Sequence, residues 1–496
     1  MKQAEFFSSR WALILAALGM AVGTGNIWRF PRIVAQNGGG SFLIPWFIFL
    51  FLWSIPLLII EFTIGKKTRH GTIGAFGEFL GKRFTWMGAF VGFCTMAIMF
   101  YYSVVMGWCV KYFVAALFFD SGLSDAQAFW NGFTGGYEPV LFHLLSMAVG
   151  AVVIYEGVVQ GIERANKILI PTLFFLLVIA AVRALTLPGA MAGLNFLFEP
   201  RLEMLFHYKT WLEALSQSAW STGAGWGLIL TYAVYMRQKE DVVLNSFIAG
   251  LGNNSASLLA ALVVLPAVFA LAPQLGLSPQ EIVSDSGPAS TGITFMWVPQ
   301  LFGEMPMGSG LLIIFFLALA SAALSSLIAM IELATRIFMD AGLERRLAIV
   351  FVSVFGFLLG LPSALSLQFL NNQDWVWGLG LIISGMFFTF AAIKYGVEKM
   401  RTQLINSEGN DLAAGRWFNA IVLVLIPIEF MALIGWWSWQ AVASYDPEGW
   451  WNPFRTFSLG TCLFQWLVAI GVFILLNNKL FEKSVRQKAL DAQASN

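Results

Sequence analysis

Long apolar segments separated by shorter polar ones recur along the whole chain of 496 residues. A helix needs about 20 mostly apolar residues to cross the hydrocarbon core of a membrane. The pattern predicts twelve membrane-spanning helices, and an even number places both termini on the same side. The predicted spans cover residues 11–33, 41–65, 86–119, 140–156, 165–187, 211–235, 242–272, 307–339, 347–367, 374–396, 417–441 and 457–478.

Two of these spans contain residues that interrupt a helix. The first contains Gly19, Gly23, Gly25 and Asn26, and the sixth contains the glycine-rich segment 220–227. Backbone groups freed at membrane depth need protein partners or a polar cavity. For the first span alone, close packing of small residues against a neighbouring helix is the alternative explanation. Because interrupted spans in both halves of a chain are typical of the midplane site of an inverted-repeat transporter, we expect a polar ligand between them.

The composition is that of a polytopic membrane protein. Hydrophobic residues make up 58% of the chain and charged residues 11%, against about 25% charged residues in soluble domains. The net charge of +1 argues against a nucleic-acid partner. The cysteines at 94, 109 and 462 fall inside predicted spans at no metal-ligand spacing, so we interpret them as apolar packing residues.

Positive charges are concentrated in the loops on one side. Lysines and arginines crowd 66–69 and 82–83, whereas 120–139 and 273–306 contain none. Loops rich in Lys and Arg face the cytoplasm, so we expect a plasma or inner membrane protein with both termini cytoplasmic. Segment 273–306 is too long for a simple connection, which predicts an external loop with helical pieces that caps the entrance.

The residues around the first break carry a family signature. Residues 21–31 read AVGTGNIWRFP and residues 37–42 read NGGGSF. This combination resembles the signature of the neurotransmitter:sodium symporter family, which includes the bacterial leucine transporter. The likeness is ungapped here and continues along most of the chain.

The resemblance implies an architecture and an activity. The expected fold is an all-α membrane protein of twelve transmembrane helices, the leucine-transporter-like fold, with helices 1 and 6 broken. A ten-helix core (1–397) holds a 5+5 inverted repeat (11–187 and 211–397), followed by helices 11 and 12 (398–480) and a cytoplasmic tail (481–496). The implied activity is sodium-coupled symport of a neutral L-amino acid into the cell by alternating access.

The resemblance also implies two sodium sites built from neutral oxygens, which suit this hard cation. The first site takes Ala21, Asn26, Ser221 and Asn253. The second takes Gly19, Val22, Ala322, Ser325 and Ser326. Hydrogen bonds between helices are the alternative role for the amides, and Asn254 leaves the register at Asn253 open. A serine pair also commonly bonds back to its own helix.

A substrate pocket is implied between the two breaks. Monoamine transporters carry an aspartate at the position of Gly23, and glycine leaves this space to the carboxylate of an amino acid. Tyr102 matches the tyrosine whose hydroxyl meets that carboxylate. The implied pocket residues are Met20, Ala21, Gly23, Thr24, Ile98, Tyr102, Trp220, Gly223, Trp226, Ser326 and Met330.

Two gates are implied on either side of this pocket. Arg29 and Asp374 match the outer gate. Asp374 is the first residue of the predicted tenth span. Tyr235 and Asp340 match the inner gate. Ala4 stands where the family carries the basic partner of the inner gate, so Lys2 or Arg10 is expected to replace it. Glu61 resembles a glutamate that braces the broken helices through their backbone N–H groups.

Chloride is a further implied ion. Chloride-independent bacterial members carry a carboxylate at the position of Ser257, so this chain lacks that fixed charge. Gln217, Ser221, Asn253 and Ser257 resemble the chloride cage of the animal transporters. Trp46 replaces the tyrosine of that cage, and its indole N–H can only donate. We therefore expect chloride to stimulate uptake.

Other classes of protein fit the sequence less well. An enzyme is disfavoured because there is no HExxH motif or pair of intramembrane acids, and His70, His143 and His207 lie near span ends. A sensor would normally carry an added signalling domain. A proton-coupled amino-acid carrier of the same fold is the main alternative, although the serine pair and Asn26 favour sodium. The expected partners are an amino-acid substrate and the lipid bilayer, with monomer and homodimer both open.

Overall fold

The computed structural model describes residues 6–118, 125–284, 292–303, 305, 307–407 and 410–486, and this part of the chain contains helices and no strand. Ten helices are long and apolar enough to cross a membrane. They are Gly40–Thr68, Lys82–Phe118, Glu138–Tyr155, Val158–Leu185, Val242–Leu275, Gly308–Asp340, Arg345–Leu365, Leu367–Tyr395, Trp417–Tyr445 and Leu459–Val485.

The other two predicted spans are broken, as expected. In the first span, helices Arg10–Ala21 and Thr24–Gln36 meet at an angle of 65°. The sixth span consists of Tyr208–Ser221 and Leu228–Ala233, with a non-helical segment at 222–227. All twelve predicted spans therefore have helical counterparts, although neither half of the sixth is long enough to cross a membrane alone.

The backbone conformation differs between the two breaks. Val22 and Gly23 are extended, so the carbonyls at the end of the preceding helix lose their helical partners. In the sixth span, Gly223, Gly225 and Gly227 have positive φ angles of 69°, 88° and 77°. Glycine adopts this region without the steric cost that a Cβ would add.

Burial separates the spans into an inner and an outer group. The third, seventh, eighth and tenth spans are mostly buried inside the protein, whereas the fourth, fifth, eleventh and twelfth expose most of their apolar windows. On the twelfth span, Leu467 is 66% exposed and Leu475 is 85% exposed. Such apolar surfaces suit contact with lipid. In the broken spans, most residues of the helices on either side of each break are buried.

Several boundaries differ from the prediction. The tenth span begins at Leu367, with Ser366 as its N-cap, so Asp374 lies inside the helix and not at its start. Hydropathy missed this beginning because its first turns carry Gln and Asn side chains. The twelfth span continues to Phe481 and then as a π-helical turn to Arg486, with Ser484 buried. The predicted tail therefore begins as helix, and residues 487–496 lie outside the described part.

The long segment 273–306 contains the predicted helical pieces where it is described. They are Ala272–Leu275, Pro279–Ser284, Ile293–Trp297 and Val298–Gly303. The amide of Gln36, at the end of the first span, donates to the carbonyl of Val283 at 3.2 Å. Phe295 is fully buried and packs edge-on against Trp28. This segment therefore lies over the second half of the broken first span.

Candidate substrate and cation sites

A cavity of about 600 Å³ lies between the two breaks. Its lining comes from the first, third, sixth, eighth and tenth spans, together with residues of the eleventh. All of the implied pocket residues are on its wall: Met20, Ala21, Gly23, Thr24, Ile98, Tyr102, Trp220, Gly223, Trp226, Ser326 and Met330. The fold thus brings together side chains separated by as many as 310 positions, from Met20 to Met330.

One end of the cavity is polar because backbone is exposed there. The hydroxyl of Tyr102 accepts a hydrogen bond from the backbone N–H of Thr24 at 3.1 Å. A Cβ on Gly23 would lie 3.0 Å from both the Tyr102 hydroxyl and Ser326 Oγ, whereas a Cβ on Gly25 would meet nothing within 4 Å. Glycine at both positions leaves space beside donors that suit a carboxylate.

The rest of the wall is largely apolar. A Cβ on Gly223 would lie 2.6 Å from Met20 Sδ, so the methionine covers this glycine. Ile98 and Met330 are buried beside the cavity. The carbonyl of Trp226 accepts from the hydroxyl of Thr95 at 2.6 Å, which fixes the unwound backbone.

The residues of the first implied sodium site meet in one buried cluster. Asn26 Nδ2 lies 2.7 Å from Asn253 Oδ1 and 3.2 Å from Ser221 Oγ. The carbonyl oxygens of Ala21 and Ser221 each lie 3.0 Å from the same amide atom of Asn253. With Oδ1 facing them, three oxygens converge and a cation could lie between them, whereas with the amide turned over its NH₂ group donates to both carbonyls. This donor set fits sodium.

The second implied site shows an excess of acceptors. Ser326 Oγ lies 3.4 Å from the carbonyl oxygens of Gly19, Met20 and Val22, and one hydroxyl hydrogen cannot satisfy all three. Ser325 Oγ donates to the Ala322 carbonyl at 3.0 Å, which is the back-bonding arrangement. Within the described residues, no group of three His, Cys, Asp or Glu side chains forms a metal site. The clusters therefore offer neutral oxygens.

Glu61 holds the broken sixth span. Its side chain is fully buried. One carboxylate oxygen accepts from the backbone N–H of Gly225 at 2.5 Å, and the other accepts from Leu230 at 3.3 Å. This bracing agrees with the role that the resemblance implied.

The implied outer-gate residues face the same cavity but contact different partners. The guanidinium of Arg29 lies 3.9 Å above the ring of Trp220. The carboxylate of Asp374 accepts from the hydroxyl of Tyr101 at 2.9 Å. Both are described residues, and they form no ion pair with each other. The cavity continues past them to the beginning of the tenth span and the end of the eleventh.

At the opposite end, Asp340 is held by several groups. It accepts from the backbone N–H of Gly71 at 2.5 Å and pairs with Arg336 at 2.9 Å. Arg10, one of the two residues expected to replace the missing basic partner, pairs with Asp411 at 2.5 Å. Arg336 lies one turn away from Asp340 on the same helix. The other expected partner, Lys2, lies outside the described residues.

The sequence interpretation missed a buried ionic cluster beside this end. The hydroxyl of Tyr235 donates to Glu332, and Arg345 pairs with the same carboxylate at 2.7 Å. Glu332 is fully buried in the eighth span. An acidic residue inside a predicted span was the available signal, since such residues usually have a partner or a function.

All five implied chloride residues are buried, and three of them (Ser221, Asn253 and Ser257) are linked by hydrogen bonds through Asn26. Ser257 Oγ accepts from Asn26 Nδ2 at 2.8 Å, and Ser221 Oγ accepts from Asn253 Nδ2 at 3.0 Å. Trp46 Nε1 and Gln217 Oε1 are buried without a hydrogen-bond partner among the described residues. Trp46 therefore has an uncommitted N–H donor, and Gln217 has an uncommitted acceptor.

Two broken helices around a midplane cavity are the architecture of an inverted-repeat secondary transporter. The model of the sodium:neurotransmitter symporter family matches residues 4–136 and 139–482. The chain belongs to this family. It is a multi-pass membrane transporter that uses sodium, and it is not an enzyme.

Individual relatives agree with this assignment. A sodium-dependent transporter of Methanocaldococcus jannaschii is 31% identical over 447 residues, which cover 87% of this chain and 89% of that protein. The sodium-dependent serotonin transporter of Drosophila melanogaster is 26% identical over 90% of this chain and 79% of its own length. The crystal structure of MhsT in complex with L-phenylalanine is 30% identical, with a TM-score of 0.74, and the match covers 87% of this chain and 99% of that one.

Proposed function

We propose that this protein carries a neutral L-α-amino acid into the cell together with sodium by alternating access. The observation that carries the proposal is the polar end of the cavity. There the Tyr102 hydroxyl and the Thr24 backbone lie beside glycines whose missing side chains leave room for a carboxylate. The apolar remainder of the wall suits an uncharged side chain, and MhsT was crystallised with L-phenylalanine.

Two sodium ions per cycle are proposed, one at each oxygen cluster. Ala21, Asn26, Ser221 and Asn253 would hold the first, and the carbonyls and hydroxyls around Ser326 would hold the second. The ions would add positive charge beside the break in the first span, which attracts the substrate carboxylate. Since these carbonyl, hydroxyl and amide groups do not titrate near neutral pH, they support sodium over the proton-coupled alternative.

Chloride is proposed as an additional ion at the buried group of Trp46, Gln217, Ser221, Asn253 and Ser257. Two sodium ions and a zwitterion carry net positive charge, which is costly in a medium of low dielectric constant. An anion close to the first sodium site would reduce this cost. The free indole N–H of Trp46 supports the proposal because it can donate to an anion.

The proposed orientation places both termini and the Asp340 region in the cytoplasm, with Arg29 and Asp374 toward the outside. The proposed outer gate is Arg29 with Asp374, and the proposed inner gate is Tyr235 with Asp340.

Uptake into proteoliposomes tests the function. Purified protein would be reconstituted, and radiolabelled amino acids would be supplied with an inward gradient of sodium or of choline. We expect uptake of neutral amino acids only with sodium, and poor competition by their methyl esters and decarboxylated amines. Equal competition by the amine would contradict the carboxylate site, and uptake driven by a proton gradient without sodium would favour the alternative carrier.

A further inference from the structure

Asn166, in the fifth span, has a buried amide oxygen with no hydrogen-bond partner among the described residues. The side chain is fully buried, and its Nδ2 donates to the carbonyl of Ile162 on the same helix at 2.9 Å. An unsatisfied buried acceptor costs about 1–3 kcal/mol. The position of Oδ1 therefore needs an explanation.

The oxygen lies against the first break. Asn166 Oδ1 is 1.9 Å from the position that a Cβ on Gly19 would occupy, and the Cβ of Ser325 is 3.2 Å from the same position. The amide oxygen and Ser325 thus flank one face of Gly19. Only glycine fits here, because any side chain would collide with the amide. The carbonyl of this glycine points to Ser326, at the second oxygen cluster.

We propose that Asn166 belongs to the second sodium site, where its Oδ1 contributes an oxygen to the coordination shell of the ion. This inference rests on the proposed function, since it requires sodium at that cluster. The Nδ2 bond to Ile162 fixes the amide so that the oxygen, and not the NH₂ group, faces Gly19. A bound cation would give this oxygen the partner that the described residues do not supply.

The assignment makes the fifth span a wall of the site. The residues already assigned to this site come from the first and eighth spans. The amide oxygen resembles their carbonyl and hydroxyl oxygens, because it is neutral and is a hard ligand. Sodium would then hold three helices together: the first through Gly19 and Val22, the eighth through its serines, and the fifth through Asn166.

Sodium-dependent thermal stability tests the inference without transport. Purified protein in detergent would be titrated with NaCl at constant ionic strength, with choline chloride as the balancing salt, while the unfolding temperature is measured. Asn166→Ala should raise the sodium concentration for half-maximal stabilisation about tenfold, which corresponds to about 1.4 kcal/mol. Asn166→Asp keeps an oxygen and should stay within about threefold of the wild type, by the same scale.

Asn245→Ala is the matched control. Asn245 is a buried asparagine in the seventh span whose two amide atoms both have no hydrogen-bond partner within the described chain. Its replacement can change the unfolding temperature but should leave the sodium concentration for half-maximal stabilisation unchanged. If Asn166→Ala does not fold, Asn166→Leu, which fills the space without an oxygen, takes its place.

The outcomes separate the inference from the proposed function. If Asn166→Ala needs the same sodium concentration for half-maximal stabilisation as the wild type, the inference is overturned. The same holds if Asn245→Ala raises this concentration as much as Asn166→Ala does. A wild-type protein that sodium does not stabilise would contradict the proposed sodium sites themselves.

Discussion

At the scale of single residues, two adjacent serines have different environments. Ser325 donates to its own helix at Ala322, whereas Ser326 lies among three carbonyl oxygens of the broken first span. Together they place hydroxyl oxygens of the eighth span near the carbonyl oxygens that lose their helical partners at the break in the first span. Their lack of charge suits a monovalent cation.

The double replacement Ser325→Ala and Ser326→Ala should abolish sodium-dependent uptake while leaving the protein folded, because it removes both hydroxyls of the second site. Proteoliposome uptake with sodium or choline measures this, and size-exclusion chromatography checks the fold. Ser321→Ala is the control, because this hydroxyl on the same helix bonds only to the carbonyl of Leu317 in the described structure. Unchanged sodium dependence in the double variant would refute the site.

Ser257 decides the expected response to chloride. A carboxylate at this position would supply the negative charge beside the first sodium site, and serine does not. Uptake by the wild type should be higher in chloride than in gluconate, and Ser257→Glu should lose most of that difference. Ser255→Glu, at an exposed position on the same helix, should keep it. Equal wild-type uptake in both anions would show that the balancing charge comes from elsewhere.

At the scale of elements, the sixth span depends on a side chain from the second. Its glycines allow the unwound backbone, but they do not supply partners for the freed N–H groups. Glu61 accepts two of them inside the membrane. A carboxylate does this better than an amide because both of its oxygens only accept.

Glu61→Gln should lower the unfolding temperature and reduce uptake at least about tenfold, because the NH₂ group of the amide replaces one accepting oxygen and leaves a buried backbone N–H unpaired, at a cost of about 1–3 kcal/mol. Thermal unfolding in detergent and sodium-driven uptake would measure the two effects. Glu429→Gln provides the comparison, as Glu429 is a buried carboxyl on the eleventh span away from the cavity lining. Equal effects of the two replacements would argue against a specific brace.

At the scale of the whole molecule, the two ends of the core differ. The cavity extends from the breaks past Arg29 and Asp374. At the other end, Phe7 is buried against Tyr235, and its N–H donates to the Tyr235 carbonyl at 3.1 Å. Asp340 and Arg336 pair beside it. The chain is thus closed at the end that carries its N-terminus and more open at the end covered by the long loop.

Cysteine labelling tests the orientation of these ends. The three native cysteines are fully buried, so a membrane-impermeant maleimide should react only with an introduced thiol. Ser278→Cys, in the long loop, should be labelled in intact cells, and Lys82→Cys only after permeabilisation. Both native residues are exposed. The reverse pattern would place the termini outside.

The sequence by itself determined the number of spans, the two breaks and the residues around the cavity. Apolar length reports membrane crossing directly, because an apolar helix of sufficient length is stable in the hydrocarbon core. The glycines around Gly23 and Gly223 marked the breaks because they weaken a helix locally. The pocket residues followed from the resemblance, since the motif at 21–31 fixes the alignment around them.

The tertiary structure alone decided which distant groups pair. Arg10 pairs with Asp411, Asp374 accepts from Tyr101, and Arg29 lies over the ring of Trp220. The unpaired oxygen of Asn166 against Gly19 likewise became visible only in three dimensions. Periodicity and composition report the environment of each helix face, whereas these contacts depend on how helices far apart in the chain are packed together.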